Sequence, residues 1–144
     1  MFTKILVAVD GSDQSRNAVR YASDLAKKYD AALHLVHAPQ IEVETLTLGS
    51  GMLDVLPTRD LLAKQGKTVL DQAGAWAEEG GRKADSTEIL LGDATQAILK
   101  YAAENGIDLI VSGSRGLGAL RGLLQGSVSQ KLTSHATCPV LTVR

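Results

Sequence analysis

Short, continuous apolar runs alternate along the chain with longer stretches whose apolar residues return every three or four positions, and this alternation lays out its elements in order. Ile5-Leu6-Val7-Ala8-Val9 is an unbroken, β-branched-rich run ending at Asp10-Gly11-Ser12, the pattern of a strand buried on both faces that runs into a turn. Ser12 or Asp13 then caps a helix whose apolar positions Ala18, Val19, Ala22, Leu25, Ala26 and Tyr29 recur at helical spacing. Ala31 to Ala38, containing Leu33, Leu35 and Val36, predicts a second strand. From Thr58 a second helix carries Leu62, Val69, Leu70, Ala73, Trp76 and Ala77 on one side and stops at Gly80-Gly81. Thr87 to Leu91 reads as a third strand. Asp93 caps a third helix, with Gln96 placed to support the cap, Ala97, Ile98, Tyr101 and Ala102 on its inner face and Gly106 beyond its end. Asp108-Leu109-Ile110-Val111-Ser112 is a fourth strand, Ser127 to about Ala136 a fourth helix closed before Pro139, and Val140 to Val143 a last strand. Only Pro39 to Pro57 shows no clear period. Its Ile41, Val43, Leu46, Leu48, Met52, Leu53 and Leu56 are too apolar for a plain solvated loop, so it reads as a lid or a partner-contacting segment.

Strands alternating with helices in this way imply an α/β fold with a parallel sheet covered on both faces. In such sheets ligands sit outside the carboxyl ends of the strands, where strand order reverses. If the first and fourth strands are neighbours, Asp10 and the loop from Gly113 to Ser129 face one crevice.

That loop carries the strongest chemical signal. Gly113-Ser114-Arg115-Gly116 is followed, after nine residues, by Gly126-Ser127, between a strand and a helix. A loop that brings several backbone N–H groups to a triphosphate needs residues without a Cβ, some of them at positive φ, and Gly113, Gly116 and Gly126 could supply this. Ser127 adds a hydroxyl at the start of a helix whose first-turn N–H groups and dipole favour negative charge. Ser127-Val128-Ser129-Gln130 also has the form of a capping box, with Ser127 at the N-cap.

Composition narrows the classes. At 144 residues and 44% hydrophobic, the chain has material for one core and is expected to form a single domain over residues 1–144. A net charge of -1 gives no global attraction to nucleic acid or to an anionic membrane, so an anion site has to be built locally. No apolar run approaches the roughly eighteen residues of a membrane span, and the amino terminus lacks a signal-peptide core, so a cytoplasmic protein is expected. Cys138 is the only cysteine, which excludes an intrachain disulfide and a cysteine metal cluster and leaves a buried structural thiol. His37 reads as a packing residue. Neither His34 nor His135 has a sequence neighbour that would complete a triad or metal site.

With these residues in view, the chain resembles a small universal stress protein of the ATP-binding class. The resemblance rests on Gly113, Gly116, Gly126 and Ser127 at the family's spacing, on the opening Lys4 to Ser12, on the Leu33 to Ala38 strand and on the closing Cys138 to Val143, and so covers almost the whole chain. It implies a doubly wound, five-stranded parallel sheet of order 3-2-1-4-5 with helices on both faces. It also implies an ATP site formed by Ala8, Val9, Asp10, Ala38, Gly113, Ser114, Arg115, Gly116, Gly126, Ser127, Val128 and Ser129. In it Asp10 and the backbone at Gly113 hold the ribose, the backbone about Ala38 meets the adenine edge, and Gly116, Gly126, Ser127 and Val128 carry the phosphates. Mg²⁺ or Mn²⁺ would be bound mainly through those phosphates. Asp10 has a second reading, as a turn residue bonding to the N–H groups of Gly11 and Ser12. Arg115 either neutralises phosphate or is simply solvated.

The function so implied is an ATP-binding regulatory or stress-response sensor rather than a dedicated enzyme. Ser127 and Ser129 are poor bases, so at most slow hydrolysis is expected. The implied strand order leaves Val140 to Val143 on an edge with no proline or charge inside it, a template for a homodimer; a further protein partner is left open. Four other readings compete. A Walker loop at Gly66-Lys67-Thr68 would need a glycine where Leu61 stands. A dinucleotide fingerprint at Gly116-Leu117-Gly118 would need one at Arg121. An adenylating enzyme is hinted at by Asp10 to Ser15, but the adjacent glycines of its pyrophosphate loop are missing. The last is a dimerisation or partner-binding module with an empty loop.

Overall fold

The first apolar run becomes the central strand, as its composition requires. In the computed structural model, which describes residues 1–40, 44–49, 51–116 and 126–144 (the backbone alone for 44–48 and 53–55), β1 is Lys4–Ala8. It is followed by α1 (Asp13–Tyr29), β2 (Ala32–His37), β3 (Glu44–Leu48), β4 (Gly51–Val55), α2 (Arg59–Glu79), β5 (Ser86–Ile89), α3 (Ala94–Asn105), β6 (Leu109–Gly113), α4 (Ser127–His135) and β7 (Val140–Val143). The main sheet runs β5-β2-β1-β6-β7, every neighbour parallel. Counting only its own five strands in chain order, this is the expected 3-2-1-4-5.

Strand alternation then divides the core. Ile5, Val7 and Val9 face one side, with Leu33, Leu35 and Val111, where Ala18, Val19 and Ala22 of α1 and Ala73, Trp76 and Ala77 of α2 cover them. Leu6, Val36 and Ile110 face the other, under Ile98, Tyr101 and Ala102 of α3 and Leu132 of α4. Ile5, Leu6 and Val7 are each 0% exposed, which is why the run shows no polar alternation.

The helix ends follow local chemistry. Ser12 caps α1 by accepting from the Ser15 N–H, Thr58 caps α2 through Leu61, and Asp93 caps α3 through Gln96. Gly106, at φ 65°, closes α3 in the left-handed conformation that favours glycine. The fourth helix departs from expectation: its N-cap is Gly126, which has no side chain to cap it, and Ser127 is its first helical residue. The capping box therefore does not form.

Two further expectations are corrected. Within Pro39 to Pro57 the chain forms an antiparallel hairpin, β3 with β4, in a sheet of its own, pairing Leu48 with Gly51 across a turn in which Gly49 has φ 61°. The Thr-Leu alternation at 45–48 and the glycines beside it were the signal for it. The lid reading of this segment rests partly on residues 41–43 and 50, outside the described residues. Cys138, expected in the core, is half-buried beside Val140, and partial burial pushes its thiol up from the ordinary value.

Carboxylates stitch the amino ends of the strands. Asp108 accepts from the Thr3 N–H at 2.8 Å, the Thr3 hydroxyl at 2.7 Å and the Lys4 N–H at 3.1 Å, tying the start of β1 to the start of β6. Asp85 does the same for β2 and β5: it accepts from the Leu33 N–H and from Arg82, each at 2.8 Å. Partial burial pushes the Asp108 carboxyl up, but the bonds from Thr3 and Lys4 outweigh it and hold the group below the usual carboxylate range. A lowered folded value means stability that is fully present above the unfolded value and is lost as pH falls through the folded one. Asp108→Asn is expected to cost about 1 kcal/mol at neutral pH, a figure kept low for solvent screening. In urea titrations across pH, the gap from the parent should close only as pH drops below the ordinary aspartate value of about 3.9; a gap unchanged into strong acid would contradict this account.

Candidate functional site

Because β1 and β6 are neighbours and the sheet continues from them in opposite directions, their carboxyl ends open a crevice. A cavity of about 430 Å³ fills it. That lies within the range of small-molecule sites, about 300–1,000 Å³. Its walls include Ala8, Val9 and Asp10 after β1, Ala38 after β2, Gly113, Arg115 and Gly116 after β6, and Gly126, Ser127, Val128 and Ser129 at the start of α4. Of the residues expected at the site, Ser114 is the one absent from this wall. It is buried, its N–H donates to Val143 at 2.6 Å and its carbonyl accepts from the Gly126 N–H at 2.5 Å, so it fastens the two ends of the glycine loop to each other and to β7.

Asp10 does form the turn that its alternative reading described. Its Oδ1 accepts from the Ser12 N–H at 2.9 Å and from the Ser12 hydroxyl, while Ser12 in turn caps α1. The carboxylate is thereby held at the rim of the cavity, and its other oxygen stands where a Cβ on Gly116 would have to be. The two loops thus touch at Asp10 and Gly116.

Gly113 and Gly116 serve close approach, not unusual dihedrals. Gly113, Gly116 and Gly126 are not among the positive-φ residues, and Gly126 has φ -71°. A Cβ on Gly113 would lie 2.8 Å from the Gln14 Cβ and 3.0 to 3.1 Å from the backbone of Gln14 and Ser15, so the residue's smallness seats α1 against β6. At Gly126 the nearest atoms would be 3.5 to 3.6 Å away, an ordinary contact. The nine residues between Gly116 and Gly126 lie outside the described residues.

Chemically the cavity wall is of two kinds. α4 begins in it with Gly126, Ser127 and Val128, where first-turn N–H groups and the helix dipole favour an anion, and exposed Arg115 stands in the same wall. Val9, Ala38, Val69 and Ile98 add apolar surface, and His37 lines the same cavity. Among the described residues no three His, Cys, Asp or Glu side chains are grouped to hold a metal ion.

Several wall residues escaped the sequence reading. Gln65 and Val69 come from α2, Ala94 and Ile98 from α3, and Ser15, His37, Pro39, Gln40 and Ser112 complete the set. The pairs 65/69 and 94/98 have the i, i+4 spacing of one helix face, but no motif says which cleft that face borders. His37 does pack as expected, with Nδ1 2.8 Å from the Val9 carbonyl oxygen, yet it also lines the cavity. The other histidines bond within the fold, His34 to the Tyr101 hydroxyl and His135 to the Lys131 carbonyl, both at 2.9 Å. Burial, and then Lys4, lowers the His34 imidazole from its ordinary value.

Comparison with known proteins agrees with this architecture. The model of the universal stress protein family matches residues 1–144. Universal stress protein YxiE of Bacillus subtilis is 40% identical over 149 residues, with both chains covered in full. Among solved structures, a universal stress protein in complex with cAMP superposes at TM-score 0.74 with 24% identity, covering 99% of this chain and 97% of that one. The universal stress protein of Archaeoglobus fulgidus in complex with dAMP gives 0.73 with 22% identity, covering 99% and 98%. At such identities these two likenesses are of fold.

The glycine geometry yields a contrast. Gly113→Ala should destabilise the protein by about 1–3 kcal/mol through overpacking against α1, whereas Gly126→Ala should stay within about 0.5 kcal/mol of the parent. Denaturant melts compare the two directly, and equal costs would refute the close-approach argument.

Proposed function

The chain belongs to the universal stress protein family, and from that premise we propose that its cavity binds ATP with Mg²⁺ and that the protein works as a cytoplasmic nucleotide sensor rather than a dedicated enzyme. The observation that carries the reading is the convergence, in one cavity, of a carboxylate after β1, a backbone edge after β2 and a helix start with a glycine at its N-cap. Each suits one part of the nucleotide. The Asp10 carboxylate suits ribose hydroxyls, Ala38 and the apolar wall suit the base, and Gly116, Gly126, Ser127 and Val128 suit the phosphates. The complexes of fold neighbours with cAMP and dAMP support an adenine nucleotide. Mg²⁺, when bound, neutralises phosphate charge; in this chain the Ser127 and Ser129 hydroxyls are the side chains placed to help hold it.

Gly126→Val tests the phosphate end. Because φ at Gly126 suits any residue and its surroundings tolerate a Cβ, the fold should survive, while the added branches intrude on the phosphate position. Calorimetric titration should show ATP affinity reduced at least about tenfold with the melting temperature little changed, and extraction of the purified parent should release adenine nucleotide. Turnover should not exceed the order of 10⁻³ s⁻¹, the intrinsic small-GTPase scale. A rate near the enzyme median of about 10 s⁻¹ would replace the sensor by an enzyme.

The same reading includes a homodimer through β7. Among the described residues that strand pairs only with β6 and so stands at the edge of the sheet, with Val140, Leu141 and Thr142 half-buried. Antiparallel pairing about a two-fold axis would satisfy both edges. Light scattering should give a dimer for the parent and a monomer for Leu141→Pro, which removes a ladder donor; a monomeric parent at tens of micromolar would end this part of the proposal.

A further inference from the structure

His37, the last residue of β2, is held from two sides. Its Nδ1 lies 2.8 Å from the carbonyl oxygen of Val9, and a carbonyl only accepts, so in the neutral ring Nδ1 carries the proton and Nε2 the lone pair. On the other side Gly66 of α2 comes so near that a Cβ there would stand 3.3 Å from Cδ2, the atom beside Nε2. The Cδ2 edge of the ring therefore lies close to the α2 backbone. His37 is 9% exposed, and among the described residues the hydrogen bond of its side chain is the one to Val9, while its carbonyl accepts from the Leu90 N–H. Yet no buried side-chain nitrogen or oxygen among the described residues lacks a partner, so Nε2 is not sealed in the core. His37 is one of the residues that line the cavity.

A lone pair on a side chain of the cavity wall, fixed in its tautomer by a backbone carbonyl, discriminates between ligands. An acceptor left unmatched there costs about 1–3 kcal/mol, and sites built around such groups reject analogues that lack the donor. We propose that His37 is a specificity-determining residue: its Nε2 accepts a hydrogen bond from the 6-amino group of an aminopurine and so selects adenine over 6-oxopurines. This rests on the reading of the cavity as an ATP site with the base beside Ala38. The 6-amino group has two hydrogens and can serve a backbone carbonyl and His37 together. A 6-oxo group in the same place sets lone pair against lone pair.

The test compares ATP with ITP, in which a 6-oxo group replaces the 6-amino group, by calorimetric titration of the parent and of His37→Asn. Asparagine keeps an N–H donor within reach of the Val9 carbonyl and removes the acceptor at Nε2. The parent should bind ATP about tenfold or more tightly than ITP, and in the variant the ratio should fall to within about threefold, mainly through lost ATP affinity. A purely structural histidine would leave the ratio unchanged. ATP binding with no discrimination in the parent, or with the same ratio in both proteins, overturns this inference and leaves the nucleotide reading standing. If the parent binds neither nucleotide, the nucleotide reading falls and takes this inference with it. Should the variant not fold, ¹⁵N NMR of the parent decides: the Nε2 resonance is expected to move on addition of ATP and to stay on addition of ITP, and the absence of an ATP-specific shift overturns the proposal.

Discussion

Burial of β1 on both faces is the constraint from which the rest of the structure follows. Ile5 and Val7 on one side and Leu6 on the other are each worth about 1.5–3 kcal/mol when fully removed from water, and that gain requires a helical layer on either side of the sheet. Parallel strands linked by crossover helices supply both layers, with α1 and α2 on one face and α3 and α4 on the other. A central strand with successors on both sides necessarily has a point where the order reverses. The cavity is the geometrical by-product of that reversal.

What turns a crevice into a site is close approach of backbone. Gly113 lets α1 rest against the end of β6, and Gly116 lets the loop lie against the Asp10 carboxylate. Ser114 then ties the loop to Gly126 and to β7. These contacts need absence of a side chain rather than left-handed dihedrals, so the glycine loop is specified by packing. The same fastening brings the start of α4 into the wall of the cavity.

Two polar residues in the wall each serve the fold with one atom. Asp10 organises the turn that caps α1 through Oδ1, and His37 braces the end of β1 through Nδ1. Such bonds fix a side chain before any ligand arrives, so that little rotamer freedom is left to be lost on binding. Preorganisation and stability here come from the same hydrogen bonds.

Local pattern by itself determined the five strands of the main sheet, the four helices and the Asp93 cap, and narrowed the cap of α1 to Ser12 or Asp13, because each is encoded within a few residues by burial pattern and capping chemistry. The glycine spacing likewise marked one side of the cavity. Only tertiary structure decided the rest. That Ser127 enters the helix instead of capping it depends on where Ser114 anchors Gly126. That Gln65 and Val69 of α2 meet Ala94 and Ile98 of α3 across one cavity depends on how two helices from opposite layers close over the strand ends. The hairpin of β3 and β4 was hidden because its apolar residues do not continue the period of either neighbour. And the second role of His37 is set by a carbonyl 28 positions away and by a glycine on a facing helix, distances in sequence across which no local pattern reaches.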